Sequence, residues 1–397
     1  MRPMPGRAAL AAWMLTAACG GALAAHAEGI KSRAFRQAFP PQTAEIRLAN
    51  LAGHVELVRG DGKDLVVDAT VHGEAASDAE TQKILDGMKW VRAKDSKGRD
   101  EWALSYPVEK YRSYHYPEAA KGTTGFMLNF FGDGHTATTY RGERVRIYGE
   151  KRSGVPTLYA DLRIALPAGS QAAVRNVKGP VNGTGTLEGA LAVDTGDGKV
   201  TLASYSGRLA VDTGSGNVVI GTAKGETKID TGSGDVVVRN LVGNATIDTG
   251  SGNVTVESIS AGKLALDTGS GNLTVKSGDA GRVIADAGSG NLKILGVELE
   301  ELVADTGSGN VTLQSSLGKA RKITAETGSG TIRIIGGPGA SFNIDADQGS
   351  GDLRVRYEDA VLRRSGRKVV GAKRGDGRTA IHVETGSGDC VIGPKEL

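Results

Sequence analysis

Apolar residues alternate with polar or small ones along much of the chain, and the alternation restarts at a nearly constant interval. Residues 264–276 are the type case. Leu264, Leu266 and Thr268 fall on one face of an extended segment, while Ala265 and Asp267 fall on the other. Ser270-Gly271-Asn272 then turns the chain, with glycine free to adopt positive φ. Leu273 and Val275 begin a second inward set, so each repeat predicts about two short strands and two turns.

The repeat is marked by an acid at Asp194, Asp212, Asp230, Asp248, Asp267, Asp286, Asp305, Glu326, Asp347 and Glu384, with spacings of 18, 18, 18, 19, 19, 19, 21, 21 and 37 residues. A period of this length with glycine-rich punctuation is the mark of a solenoid. An antiparallel meander of hairpins is the rival. It needs partners complementary across each hairpin, whereas here Leu, Val, Thr and Gly recur in the same slots, as stacking of like on like requires. The expected fold is all-β: a parallel β-solenoid (single-stranded β-helix) of about 18–21 residues per coil, with a non-repeat insertion near the N-terminus. Residues 1–27 read as a signal peptide and 28–76 as the first strands of the solenoid. Residues 77–159 form the insertion, 160–353 the repeats, 354–380 a basic insertion, and 381–397 the last repeat and C-terminus. Within 77–159, Ser77-Asp78-Ala79-Glu80 fits a capping box opening a short helix towards Trp90. Tyr106, Tyr111, Tyr114, Tyr116, Tyr140 and Tyr148, with Phe126, Phe130 and Phe131, make the rest aromatic.

Composition narrows the function. Glycine supplies 59 of 397 residues and aromatics only 5%, which suits many tight turns better than a large globular core. Arg2 and Arg7, the apolar run from Ala8 to Ala18, and Ala25-His26-Ala27 as a cleavage site predict export to the periplasm, the outer surface or the medium. A rival reading places a lipid on Cys19, although Thr16 stands where a bacterial lipobox normally has leucine. Loss of residues 1–27 leaves 46 basic against 45 acidic residues, a balance that argues against a nucleic-acid binder. No transmembrane segment is expected in the mature chain. Cys390 would be its only cysteine, so no intramolecular disulfide is expected either. Charge is uneven along the chain: residues 191–352 hold 13 basic and 19 acidic residues, and residues 354–378 hold nine basic and three acidic.

The letters DTGS also occur in aspartic proteases, which pair two such loops from two lobes so that two carboxylates share a proton. Ten related loops recurring every few strands do not make two lobes. Two readings remain for the repeat acids. In the first, each carboxylate accepts hydrogen bonds from turn amides as an Asx-type cap. In the second, weaker reading the acids form a cation ladder, against which the acid stands before the glycines instead of after them. No catalytic residue and no cofactor are expected. The alternative function is a carbohydrate-active enzyme or glycan-binding β-helix that uses the aromatic insertion as its substrate wall; the plainer role for that insertion is a cap over the open end of the solenoid. His115 and His135 have no ligand partners at metal spacing. The basic run 363–378 is either a solvated hairpin or a contact for anionic lipid, lipopolysaccharide or a partner.

The motif DTGSGNVTV, the opening strand IRLANLAGHVEL and the closing IHVETGSGDCVIG resemble the bacterial adhesin-like domains of unknown function. The resemblance spans roughly residues 43–72 and 160–393. It implies a β-solenoid in an envelope setting and brings no catalytic residues. The chain is expected to be an exported, non-enzymatic β-solenoid that binds an envelope or surface ligand, a glycan or protein, in the manner of an adhesin, or serves as a structural element of the envelope.

Overall fold

The computed structural model describes residues 29–41, 45–117 and 135–394. The signal peptide, Cys19 and the three phenylalanines of the insertion lie outside them.

The repeats stack as parallel coils in register. Residues Val200–Thr213 pair with Val218–Thr231 so that Val200 lies beside Val218, Asp212 beside Asp230 and Thr213 beside Thr231. The same register continues from coil to coil through Asp305 and Glu326. Inward Val254, Val256, Ile259, Leu264, Leu266 and Thr268 of one coil are all buried, and they meet the same slots above and below. Each buried aliphatic side chain contributes about 1.5–3 kcal/mol relative to exposure. The core is therefore a column, one layer per coil.

Most coils contain three strand segments, not the two the sequence predicts, while the coils at 311–327 and 332–348 keep two. The additional one, Ser258–Ser260 in the type coil, turns only Ile259 inward, and a single inward residue leaves no alternation to read. The bend after it also absorbs the changes in period. Val242 pairs with Ser260, 18 residues on, but Ala245 pairs with Leu264, 19 residues on, so the extra residue lies between. Two more enter at the same bend between Gln314 and Lys322.

Both ends depart from a simple stack. At the N-terminal end, Ile46–Ala52 lies between Ser170–Lys178 and Asp100–Leu104, and Trp90–Lys94 pairs antiparallel outside the latter. The helix Asp78–Gly87 starts where the capping box predicts, with Ser77 Oγ accepting from the Glu80 N–H at 3.2 Å. The Glu80 carboxylate does not complete the box; it is held by Lys110 and by the Tyr111 hydroxyl. At the other end, sequence order and spatial order diverge. Thr379–Thr385 pairs on one side with Lys322–Thr327 and on the other with Phe342–Gln348. The last repeat in the sequence is thus the penultimate coil in space. The basic insertion forms a hairpin, Val361–Ser365 with Lys368–Arg374, whose second strand runs antiparallel along Phe342–Gln348 and covers the end of the stack.

Candidate functional site

The DTGSGN motif resolves into separate duties. The threonine points inward and closes the turn: Thr268 Oγ1 accepts from the Gly271 N–H at 3.0 Å and donates to the Gly252 carbonyl of the preceding coil at 3.1 Å. Thr231, Thr249, Thr306, Thr327 and Thr385 make the same pair of bonds. The second glycine is required by close backbone approach, since a Cβ on Gly252 would collide with the Gly234 carbonyl oxygen. The asparagine builds an outer ladder in which Asn253, Asn272, Asn291 and Asn310 each accept, through Oδ1, the backbone N–H one coil on, at 2.8–3.0 Å.

This corrects the expected role of the acid. Asp267 accepts no hydrogen bond among the described residues, and the turn amide goes to Thr268. A hydroxyl at the inward position reaches both the turn and the neighbouring coil, whereas the carboxylate stands on the opposite face of the strand. The first two coils place Asn50 and Asn176 in the threonine slot, both buried, with Asn176 Nδ2 donating to the carbonyls of Gly53 and Gly179.

The ten repeat acids share one row. In space it runs Asp194, Asp212, Asp230, Asp248, Asp267, Asp286, Asp305, Glu326, Glu384, Asp347. All are exposed except half-buried Glu326. Partial desolvation and then the carboxylates on the neighbouring coils raise the pKa of Asp212 and Asp267 above the ordinary aspartate value; Asp286 shifts the same way through desolvation and Asp305. Among the described residues, no group of three or more His, Cys, Asp or Glu is arranged to hold a metal ion.

A cleft lies at the head of this row. Arg175 takes the acid slot one coil before Asp194, and the parallel row of outward residues beside it reads Arg47, Ala173, Ala192, Ala210, Lys228. The turn between Trp90–Lys94 and Asp100–Leu104 overhangs the three alanines. Asp95 shapes that turn by accepting from the Lys97 and Arg99 N–H groups and pairing with the Arg99 guanidinium at 2.7 Å. The concavity beneath is about 240 Å³. Glu101 lines it at 4% exposure, and its Oε1 is buried without a hydrogen-bond partner. Burial pushes its carboxyl above the ordinary value, opposed by the nearby Arg175. Nothing in the repeat pattern marks Glu101, which stands in the short strand DEWAL just before the apolar Trp102-Ala103-Leu104.

Three tyrosines of the insertion face the interior and are not available to a sugar ring. Tyr106, Tyr114 and Tyr140 are fully buried. Tyr106 donates to Asn50 Oδ1 at 2.9 Å and Tyr140 donates to the Ala49 carbonyl at 3.0 Å, so both pin the insertion onto the first coil. His115 is likewise buried, sharing a 2.8 Å hydrogen bond with Thr157 Oγ1.

With this geometry in place, the comparisons can be set beside it. Residues 241–392 match the family described as Toastrack DUF4097. Over that segment the chain is similar to the Toastrack DUF4097 family. The match covers the later coils and the inserted C-terminal one, while the cleft lies upstream of the matched residues. No curated protein matches the chain. Similar solved structures include an adhesin candidate from Parabacteroides distasonis at 14% identity, covering 91% of this chain and 97% of that one, with a TM-score of 0.38. A lipid-binding candidate from the same organism is 12% identical over 91% and 97% of the two chains, TM-score 0.34. A cell-adhesion candidate from Clostridium sporogenes is 13% identical over 91% and 99%, TM-score 0.16.

Proposed function

We propose that the chain is an exported, non-enzymatic solenoid that binds an envelope or surface ligand through its acidic face. The observation that carries this reading is the row of repeat carboxylates, outward and in register, with the Asp248, Asp267, Asp286 and Asp305 side chains engaged in no hydrogen bond or ion pair among the described residues. Stacked like charges about 4.8 Å apart repel by ~0.9 kcal/mol per neighbour in water. Threonine, glycine and asparagine already hold the turn, so the acids are not needed to build it. A ligand presenting cationic groups along the row would relieve the repulsion. The reading is tested by binding of the purified chain to glycan arrays and to fractionated cell envelopes, beside a variant with Asp248, Asp267, Asp286 and Asp305 all changed to Asn. Retention that falls at least tenfold in the variant supports it. Undiminished retention, or hydrolysis of a bound glycan, would overturn it.

A further inference from the structure

The cleft under the 95–99 turn differs from the rest of the acidic face in being a roofed concavity. Its floor is Ala173, Ala192 and Ala210, three small side chains in adjacent coils. One wall is the row Asp194, Asp212, Asp230. Glu101 lies at the closed end beside Arg47, in the same outward row, and Lys228 stands at the other. Two of the bordering cations are already committed to acids, Arg99 to Asp95 and Arg47 to Glu45. Arg175 spends a guanidinium nitrogen on Thr138 Oγ1 and the Thr139 carbonyl, both at 2.9 Å. Four carboxylates, Glu101, Asp194, Asp212 and Asp230, therefore face the trench against two cations, Arg175 and Lys228.

We infer that this trench is a binding site for a small linear diammonium compound, an alkyl chain with a charged amine at each end. Three features select that class. The alanine floor accepts methylenes and offers no hydrogen bonds. The wall repeats a carboxylate at each coil, so amines joined by three carbons span about one strand spacing of ~4.8 Å and meet successive rungs. The buried Glu101 oxygen lacks a donor, and an ammonium supplies one together with the opposite charge; an unpaired polar group in such a place is otherwise costly. Four carboxylates against two cations leave the trench two positive charges short, which suits a dication. The site shares three aspartates with the acidic face, yet it does not depend on that face binding an envelope ligand.

The test is calorimetric titration of the purified chain with 1,5-diaminopentane and 1,3-diaminopropane at physiological ionic strength, with calcium and magnesium as separate arms. We expect saturable one-to-one binding of both amines, weakened at least tenfold by Glu101→Gln and by Ala192→Leu, which fills the floor. The pair Asp286→Asn and Asp305→Asn, farther along the row, should leave it unchanged. Circular dichroism melts establish that each variant is folded, and Asp194→Asn replaces Glu101→Gln should the latter fail to fold. Absence of binding at millimolar amine would overturn the inference. Equal loss in the distant pair would also overturn it, by showing diffuse attraction to the face, as would saturable calcium binding that the amines cannot displace. Envelope retention lost in the four-aspartate variant while amine binding persists, or the reverse, separates failure of this site from failure of the broader surface.

Discussion

Thr268 makes two hydrogen bonds at once, so a valine of similar shape in its place would leave the Gly271 N–H and the Gly252 carbonyl buried without that partner. Thr268→Val should cost about 1–3 kcal/mol in chemical denaturation. Asp267→Asn and Asp267→Ala should both be neutral or slightly stabilising, because the carboxylate serves no cap and is repelled by its neighbours. The coil at Asp286 carries Ala287 where both of its neighbours carry Thr, and Ala287→Thr is expected to add about 0.5–1.5 kcal/mol by supplying the missing hydroxyl. Acid titration gives an independent check. Desolvation and neighbouring carboxylates raise the folded-state values of Asp212 and Asp267 above 3.8, so their ionisation destabilises the fold. Their favourable contribution is complete below the unfolded value and is lost as pH rises through the folded one. The melting temperature of Asp267→Asn should therefore exceed that of the unmodified chain at neutral pH, and the gap should close below about pH 4. An unchanged gap would show that the acids do not interact. The threonine's inward position was legible from period-two phasing, but its bond to another coil was not, because no local spacing encodes a partner one turn of the solenoid away.

At the scale of a coil, the verbatim letters of the motif were enough to establish stacking in register. What they hid was the third segment, whose lone inward Ile259 gives no period, and the bend where residues are inserted without disturbing the rungs. That bend and the motif turn should differ sharply in tolerance. An alanine inserted after Gly262 lengthens a bend that already varies between coils and should cost little. Gly252→Ala sets a methyl against the Gly234 carbonyl oxygen and should cost several kcal/mol, more than typical surface changes. Thermal melts of the two variants would reverse this ranking if the turn were loosely packed. The helix start was readable because Ser77 caps it locally. The cleft was not: Glu101 meets the alanine row only after the 95–99 turn folds over the first coils, a contact set by tertiary structure.

For the whole molecule, the 37-residue gap before Glu384 marks a change of order: the chain passes over a coil's height, builds Phe342–Gln348 and its covering hairpin, and returns to fill the space. Val383, fully buried, then supports a coil on either side. Val383→Asp should remove amide-exchange protection from Lys322–Thr327 and Phe342–Gln348 together, while Val200–Thr213 stays protected; loss confined to one neighbour would contradict the placement.

The returning coil also changes how the array can be made and unmade. A solenoid is ordinarily a zip, in which each coil docks on the one finished before it and the free end peels first. Here the tooth that comes later in the chain belongs one place in from the end of the described stack, so Phe342–Gln348 has no complete surface to settle on until residues 379–393 arrive. Closure is a single event that joins three coils. Once it is made, residues 379–393 are held between two other coils, and these three coils cannot separate one at a time.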